Sequence, residues 1–134
     1  GHCDIPCGIY DPISAKIAAQ TVLKMTMKIE ALGNTSDANS LNRFIAAKEK
    51  HAELVKHEID ILWHDYFKPE HLEKYPDLHT KVWNTTKLAA SNKQNVDSKS
   101  ATQLVTSVDE IALIFWATKG VDYSDTVESI RFGS

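Results

Sequence analysis

Apolar side chains recur at spacings of three and four along most of the chain, the repeat of helices with one face turned inward. In the first such stretch Ile13, Ile17, Val22, Met25, Ile29 and Leu32 form the stripe. Asp11 is a natural N-cap, Pro12 suits the first helical position and Gly33 suits the end, so a helix is predicted from about Pro12 to Leu32. Gly33 to Ser40 has loop composition. A second helix is predicted from about Leu41 to Trp63, with Leu41, Phe44, Ala47, His51, Leu54, Val55, Ile59 and Leu62 inward. Tyr66 to Tyr75 contains Pro69 and many charges and reads as a connection with one helical turn. A third helix is predicted from near Pro76 to Ser91, with Leu78, Val82, Thr85 and Leu88 inward, followed by a polar loop from Asn92 to Ser100. The fourth runs from about Ala101 to Lys119 on Leu104, Val108, Ile111, Phe115 and Thr118, and Gly120 stops it. Val121 to Ser134 has no period, so it is expected either to pack on a neighbour or to be disordered.

No stretch alternates with the period of two that a half-buried strand requires. Four amphipathic helices with short connections predict an all-α fold, an antiparallel four-helix bundle. The 134 residues suit one domain, divided into an N-terminal hook (1–10), the bundle (11–119) and a C-terminal tail (120–134). Hydrophobic content of 43% and charged content of 25% are ordinary for a soluble globular protein. The net charge of −3 argues against nucleic acid as a partner. No apolar run approaches the roughly 18 residues of a membrane span, and no secretory signal pattern is present, so a cytoplasmic location is expected. A haem or diiron bundle would need inward His or Glu pairs; Glu30, Glu53 and Glu58 have helical spacing but form no repeated E-x-x-H.

The chemistry concentrates at the start, in His2-Cys3-Asp4-Ile5-Pro6-Cys7-Gly8-Ile9-Tyr10. Both cysteines of the chain lie there, four apart, with a histidine beside the first. Pro6 fixes a backbone angle just before Cys7 and Gly8 frees the next, which makes a tight hook able to turn two sulfurs toward one point. Thiolates are soft ligands for late transition metals, and an imidazole or backbone nitrogen can complete such a site. The residues alone also allow a pair of ordinary thiols or a disulfide.

The hook, with Asp11 and Pro12 after it, resembles the nickel hook of nickel-containing superoxide dismutases. The resemblance continues in Leu62-Trp63-His64-Asp65-Tyr66-Phe67-Lys68-Pro69, in Glu73-Lys74-Tyr75-Pro76-Asp77-Leu78-His79 and in Ile114-Phe115-Trp116-Ala117-Thr118-Lys119. It implies superoxide dismutation through a Ni(II)/Ni(III) cycle, with one nickel ion per subunit. The implied metal ligands are the sulfurs of Cys3 and Cys7, the amide nitrogen of Cys3 and the amine and imidazole of His2. Thiolate and deprotonated amide donors push electron density onto the metal and make oxidation of Ni(II) accessible. The resemblance further implies that Tyr10 lines a small-anion pocket above the metal and that Tyr66 lies close to it. Asp65, beside Tyr66, is placed to orient hydroxyls or hook amides, and Asp4 to tie the hook down by accepting backbone hydrogen bonds, a local habit of Asp. Lys68, and with it Lys93, would draw superoxide inward, since local positive charge raises on-rates even on an acidic protein. A homohexamer in which neighbouring subunits cover each hook is implied as well, as is a maturation protease that frees the histidine amine.

Two departures from the family pattern stand out. Gly1 converts the His2 amine into an amide, which binds a metal only when deprotonated, so this chain is expected to load nickel poorly until Gly1 is removed. Ala18 and His51 occupy the positions of a glutamate and an arginine that support the ligand histidine in the family. Groups behind a ligand orient it and tune its basicity, so His2 is expected to be held differently, with His51 a candidate support and a hydrogen-bonded core histidine its plainer role. Of the other histidines, His57 is the candidate for a place near the hook, while His64, His71 and His79 show no ligand spacing. Two alternatives to the enzyme are a non-catalytic nickel-binding module and a thiol–disulfide switch built on Cys3 and Cys7.

Overall fold

The four long helices form a closed ring of neighbours: α1 (Ile13–Leu32) packs on α2 (Ala38–Ile61) and α5 (Ser98–Thr118), and α4 (Leu78–Gln94) packs on the same two. The structure, a computed structural model, describes residues 3, 5, 7–33 and 36–133. Among these residues there is no strand, and two short helices complete the set: α3 (Pro69–Lys74) and α6 (Glu128–Phe132). A π-helical turn, Leu62–Tyr66, continues directly from α2. Contacts between helix ends fix the antiparallel order. Lys28 near the end of α1 lies over Phe44 near the start of α2, and Lys16 near the start of α1 meets Asp109 in the second half of α5. Lys81 early in α4 likewise pairs with Glu110 late in α5. The structure is thus the expected antiparallel four-helix bundle.

Local chemistry sets the helix ends. The Asp11 carboxylate accepts the Ile13 N–H at 2.8 Å at the start of α1, and Asp37 and Asp97 cap α2 and α5 in the same way. The Asn92 to Ser100 segment, expected as a loop, is mostly helical: α4 runs through Gln94 and α5 begins at Ser98. The reason lies on another helix. Lys48 of α2 is buried, and its ammonium donates to the carbonyls of Asn92, Lys93 and Asn95 at 2.5, 2.9 and 2.9 Å. A cation at the negative end of a helix satisfies carbonyls that would otherwise lack donors, so α4 extends past its polar sequence. The buried Asn92 amide adds bonds to the Leu88 and Ser100 carbonyls.

The core is built from Ala15, Ala18, Ala19 and Val22 of α1, Ala52, Val55 and Ile59 of α2, Leu78, Val82 and Ala89 of α4, and eight residues of α5 including Leu104, Val108, Ile111 and Phe115. The α4 and α5 faces match the stripes expected from sequence. The α1 face is rotated from its expected stripe: Ile17 is 46% exposed, whereas Lys16 is fully buried. Alanines on the inward face allow close approach, and Lys16 is neutralised by carboxylates. Truncating Ile59 to alanine would leave a cavity costing about 2 to 5 kcal/mol.

The tail, expected to pack on a neighbour or to be disordered, is instead held on its own chain through Gly133. The Lys16 ammonium lies 2.5 Å from Asp109, 3.3 Å from Asp125 and 2.8 Å from Glu128. Arg131 makes a two-pronged pair with Asp125 at 2.8 Å and donates to Gln20 at 2.9 Å. Tyr123 stacks on Trp116, and Lys24 sits 4.4 Å from the Phe132 ring. The tail therefore runs along α1, with Arg131 and Phe132 beside the displaced Ile17.

Candidate metal centre

Cys3 and Cys7 are both exposed and are not joined in a disulfide. Their sulfurs are 3.3 Å apart. Gly8, at φ +75°, takes the left-handed turn that the hook needs immediately after Cys7. The chain then brings the Ile9 N–H back to the Cys7 sulfur at 3.4 Å. That N–H, with the Cys3 thiol as a second donor, favours the Cys7 thiolate and lowers its pKa. The Cys3 thiol is raised, because the hydrogen bond it donates to Cys7 holds its proton in place. Two thiolates set at right angles around one ion, with metal–sulfur bonds of about 2.3 Å, lie about 3.3 Å apart. The sulfur pair therefore fits a single metal ion, and bound metal would deprotonate both thiols. Among the described residues no third His, Cys, Asp or Glu joins the pair. Gly1, His2, Asp4 and Pro6 lie outside the described residues, so the roles expected of them are not part of this geometry.

Behind the hook lies a small aromatic cluster. The Tyr10 and Tyr66 rings are 5.7 Å apart, and Tyr66 also packs on Phe115 at 4.5 Å, which anchors the cluster to α5. Tyr66 is the last residue of the π-helical turn, and Phe67 closes that turn with a bond to the Leu62 carbonyl at 3.0 Å. The Thr118 hydroxyl donates to the Phe115 carbonyl at 2.5 Å. Its single proton is thereby used, so the 2.6 Å contact between Tyr66 and Thr118 is donated by the tyrosine. Removal from water and the charge of Asp65, then those of Cys7 and Cys3, raise the Tyr10 pKa, so this hydroxyl keeps its proton at neutral pH. Gly8, Tyr10, Asp65, Tyr66, Lys68, Glu70 and His71 line a cavity of about 410 Å³.

The structure thus brings Tyr10, Asp65, Tyr66 and Lys68 together around one cavity next to the cysteines. Lys93 is elsewhere: its ammonium pairs with Glu53 at 2.9 Å at the end of α4. His51 bonds through Nδ1 to the Ala47 carbonyl of its own helix at 2.7 Å, and Ala18 is in the core. His57 is exposed and does not line the cavity. Three nearby residues carried no signal by spacing alone. Thr118 reads as part of an apolar stripe, yet its hydroxyl holds Tyr66. Lys119, next to it, places its ammonium 5.4 Å from the Tyr66 ring. His71 lies within the charged connection and stacks on Tyr66 at 5.6 Å and 9°.

Comparison with known proteins places the chain in a family. Residues 1–119 match the family model of nickel-containing superoxide dismutases. The chain belongs to this family. It is 42% identical over 118 residues to the nickel superoxide dismutase of Streptomyces seoulensis and 41% identical over 118 residues to that of Streptomyces coelicolor, covering 88% of this chain and of the relative in each case. Among solved structures, that of nickel-containing superoxide dismutase in the oxidised state has a TM-score of 0.83 at 41% identity. The native nickel superoxide dismutase structure at 1.30 Å has a TM-score of 0.81 at 40% identity. Each is covered completely and spans 90% of this chain. Nickel is accordingly the cofactor that family membership indicates. The family match stops at residue 119, so the tail that runs along α1 lies beyond it.

Proposed function

We propose that the hook and its cavity carry out superoxide dismutation with Tyr10, Tyr66 and Lys68 as the working side chains around the metal. The activity itself follows from family membership: two superoxide anions and two protons become one dioxygen and one hydrogen peroxide. The observation that carries the site assignment is a cavity lined by both tyrosines and Lys68, with Gly8, the residue after Cys7, on its wall. Cys3 and Cys7 would hold nickel, with His2 and the Cys3 amide as nitrogen donors. Nickel bound there supplies a one-electron couple between its divalent and trivalent states. Lys68 contributes an exposed positive charge at the cavity that favours arrival of a small anion. Tyr10 keeps a proton beside the hook and limits what can enter. Tyr66, committed as a donor to Thr118, leaves its oxygen lone pairs to accept from a water or from Tyr10, which orders the proton supply. Asp65 biases that supply toward protonated tyrosine.

A homohexamer fits the exposed hook: Ile5 and Ile9 are 75% and 76% exposed, and a neighbouring subunit would cover them. No helix among the described residues is long and apolar enough to cross a membrane, and a cytoplasmic location with a maturation protease acting before His2 completes the proposal. The test is nickel loading of the chain freed of Gly1, followed by metal content, superoxide consumption and sedimentation. One nickel per chain with fast turnover in a hexamer is expected. Bound nickel without turnover would favour a binding module. Reversible dithiol chemistry without nickel uptake would favour a thiol switch.

A further inference from the structure

His71 touches two of the proposed working residues at once. Lys68 precedes Pro69, which forces it into an extended conformation, with φ −121° and ψ 166°. His71 then takes both polar groups of the Lys68 backbone. Its Nδ1 accepts the Lys68 N–H at 3.0 Å, and its own N–H donates to the Lys68 carbonyl at 2.9 Å. The Nδ1 bond is the half of a capping box that runs from the third helical residue back to the N-cap N–H, with an imidazole in place of the usual Glu or Gln. The same ring lies parallel to Tyr66 at 5.6 Å and meets the edge of Phe67 at 5.9 Å. Because Nδ1 accepts, the neutral ring carries its proton on Nε2. One half-buried side chain thus fixes the backbone that carries the Lys68 ammonium and supports one face of the Tyr66 ring.

We propose that His71 is a positioning residue for dismutation, holding Lys68 and Tyr66 in register on the wall of the anion cavity. The inference rests on the reading of Tyr66 and Lys68 given above. It goes beyond a stabilising cap because the two functions of the ring can be separated. His71→Gln retains an acceptor for the Lys68 N–H and loses the stack on Tyr66. His71→Phe retains the stack and loses the acceptor.

The experiment uses the nickel-loaded enzyme. For each variant, nickel content, thermal midpoint, turnover per nickel and its dependence on ionic strength are measured, beside Lys68→Ala and Tyr66→Phe as references. Turnover per nickel is expected to fall about tenfold in His71→Ala, in line with the penalty for small misplacements at a reacting centre. His71→Phe should recover most of the Tyr66 contribution yet show the flattened ionic-strength dependence of Lys68→Ala. His71→Gln should keep the wild-type ionic-strength dependence and lose turnover at all salt concentrations. Wild-type turnover per nickel in all three variants would overturn the proposal, as would losses that only track nickel content or unfolding. If Lys68→Ala and Tyr66→Phe were themselves silent, the assignment of the cavity would fail. If only the His71 variants were silent, the positioning role alone would fail.

Discussion

The two ends of the chain are held in opposite ways. The two cysteines of the hook are exposed and bond to one another and to Ile9, and Tyr10 at its end packs on Tyr66. The tail is tied to distant residues through a buried cation, Lys16, which gathers Asp109, Asp125 and Glu128 around it. The hook is a segment shaped for a ligand, where metal binding contributes the ordering free energy. The tail is a segment shaped by its own protein, where partners 108 and 111 positions away in sequence supply it. The proposed metal site therefore sits at the exposed end, and the long-range anchoring at the end beyond the family match.

The comparison breaks most sharply at the cysteines. Cys3→Ser or Cys7→Ser should reduce nickel content and superoxide turnover to background while the thermal midpoint of the metal-free protein stays unchanged. A large fall in that midpoint would show that the hook supports the bundle. At the other end, Lys16→Ala leaves three carboxylates around an emptied site. Removing one partner of a buried ion group costs about 3 to 5 kcal/mol, and denaturant unfolding should register a loss of that order with nickel content preserved. Unaltered stability would mean that the tail does not depend on Lys16.

Acid sharpens the contrast further. The Arg131 hydrogen bonds, assisted by Lys16, hold the Asp125 carboxyl down from 3.8 to about 2. A depressed acid contributes stability that is present above its unfolded value and lost as pH falls through the folded one. Tail anchoring should therefore weaken between pH values of about 4 and 2, by roughly 2 kcal/mol. Asp109, raised by burial, acts in the opposite sense, since folding disfavours its charged form. Hydrogen exchange of residues 121–133 across that range reports the net effect. Asp125→Asn should remove the acid-induced step, and a step that survived it would assign the transition to another group. The smallest effect concerns Lys24, whose ammonium lies over Phe132: Lys24→Ala should cost about 0.5 to 1 kcal/mol, visible as earlier exchange at the chain end alone.

Periodicity located the four helices because each buries a stripe that neighbouring residues write into the chain. The hook was legible for a different reason: its ligands are almost contiguous, so composition and order carry the site. The tail was not legible, since the lysine that orders it sits in another helix and looks polar by type. The rotation of α1 was missed for the same reason, because Lys16 reads as a surface residue until its three carboxylates are in place. The end of α4 was placed three residues short, since the ammonium that sustains it belongs to α2. Tyr66 and Lys68 could be singled out by family pattern, whereas Thr118 and His71 act through single hydrogen bonds and rings that no spacing announces.

The π-helical turn at Leu62–Tyr66 contains one residue more than an α-turn would use. Each residue of an α-helix advances the side chain by about 100°. Restoring the regular ladder by deleting one residue within the turn would leave a well-formed rod and swing everything after it to another side. Tyr66 would then leave Tyr10 and Thr118 together, and Lys68 would follow. In evolutionary terms the pocket depends on keeping an insertion: a lineage that lost this surplus residue could retain its hook and its bundle and still no longer have them face one another.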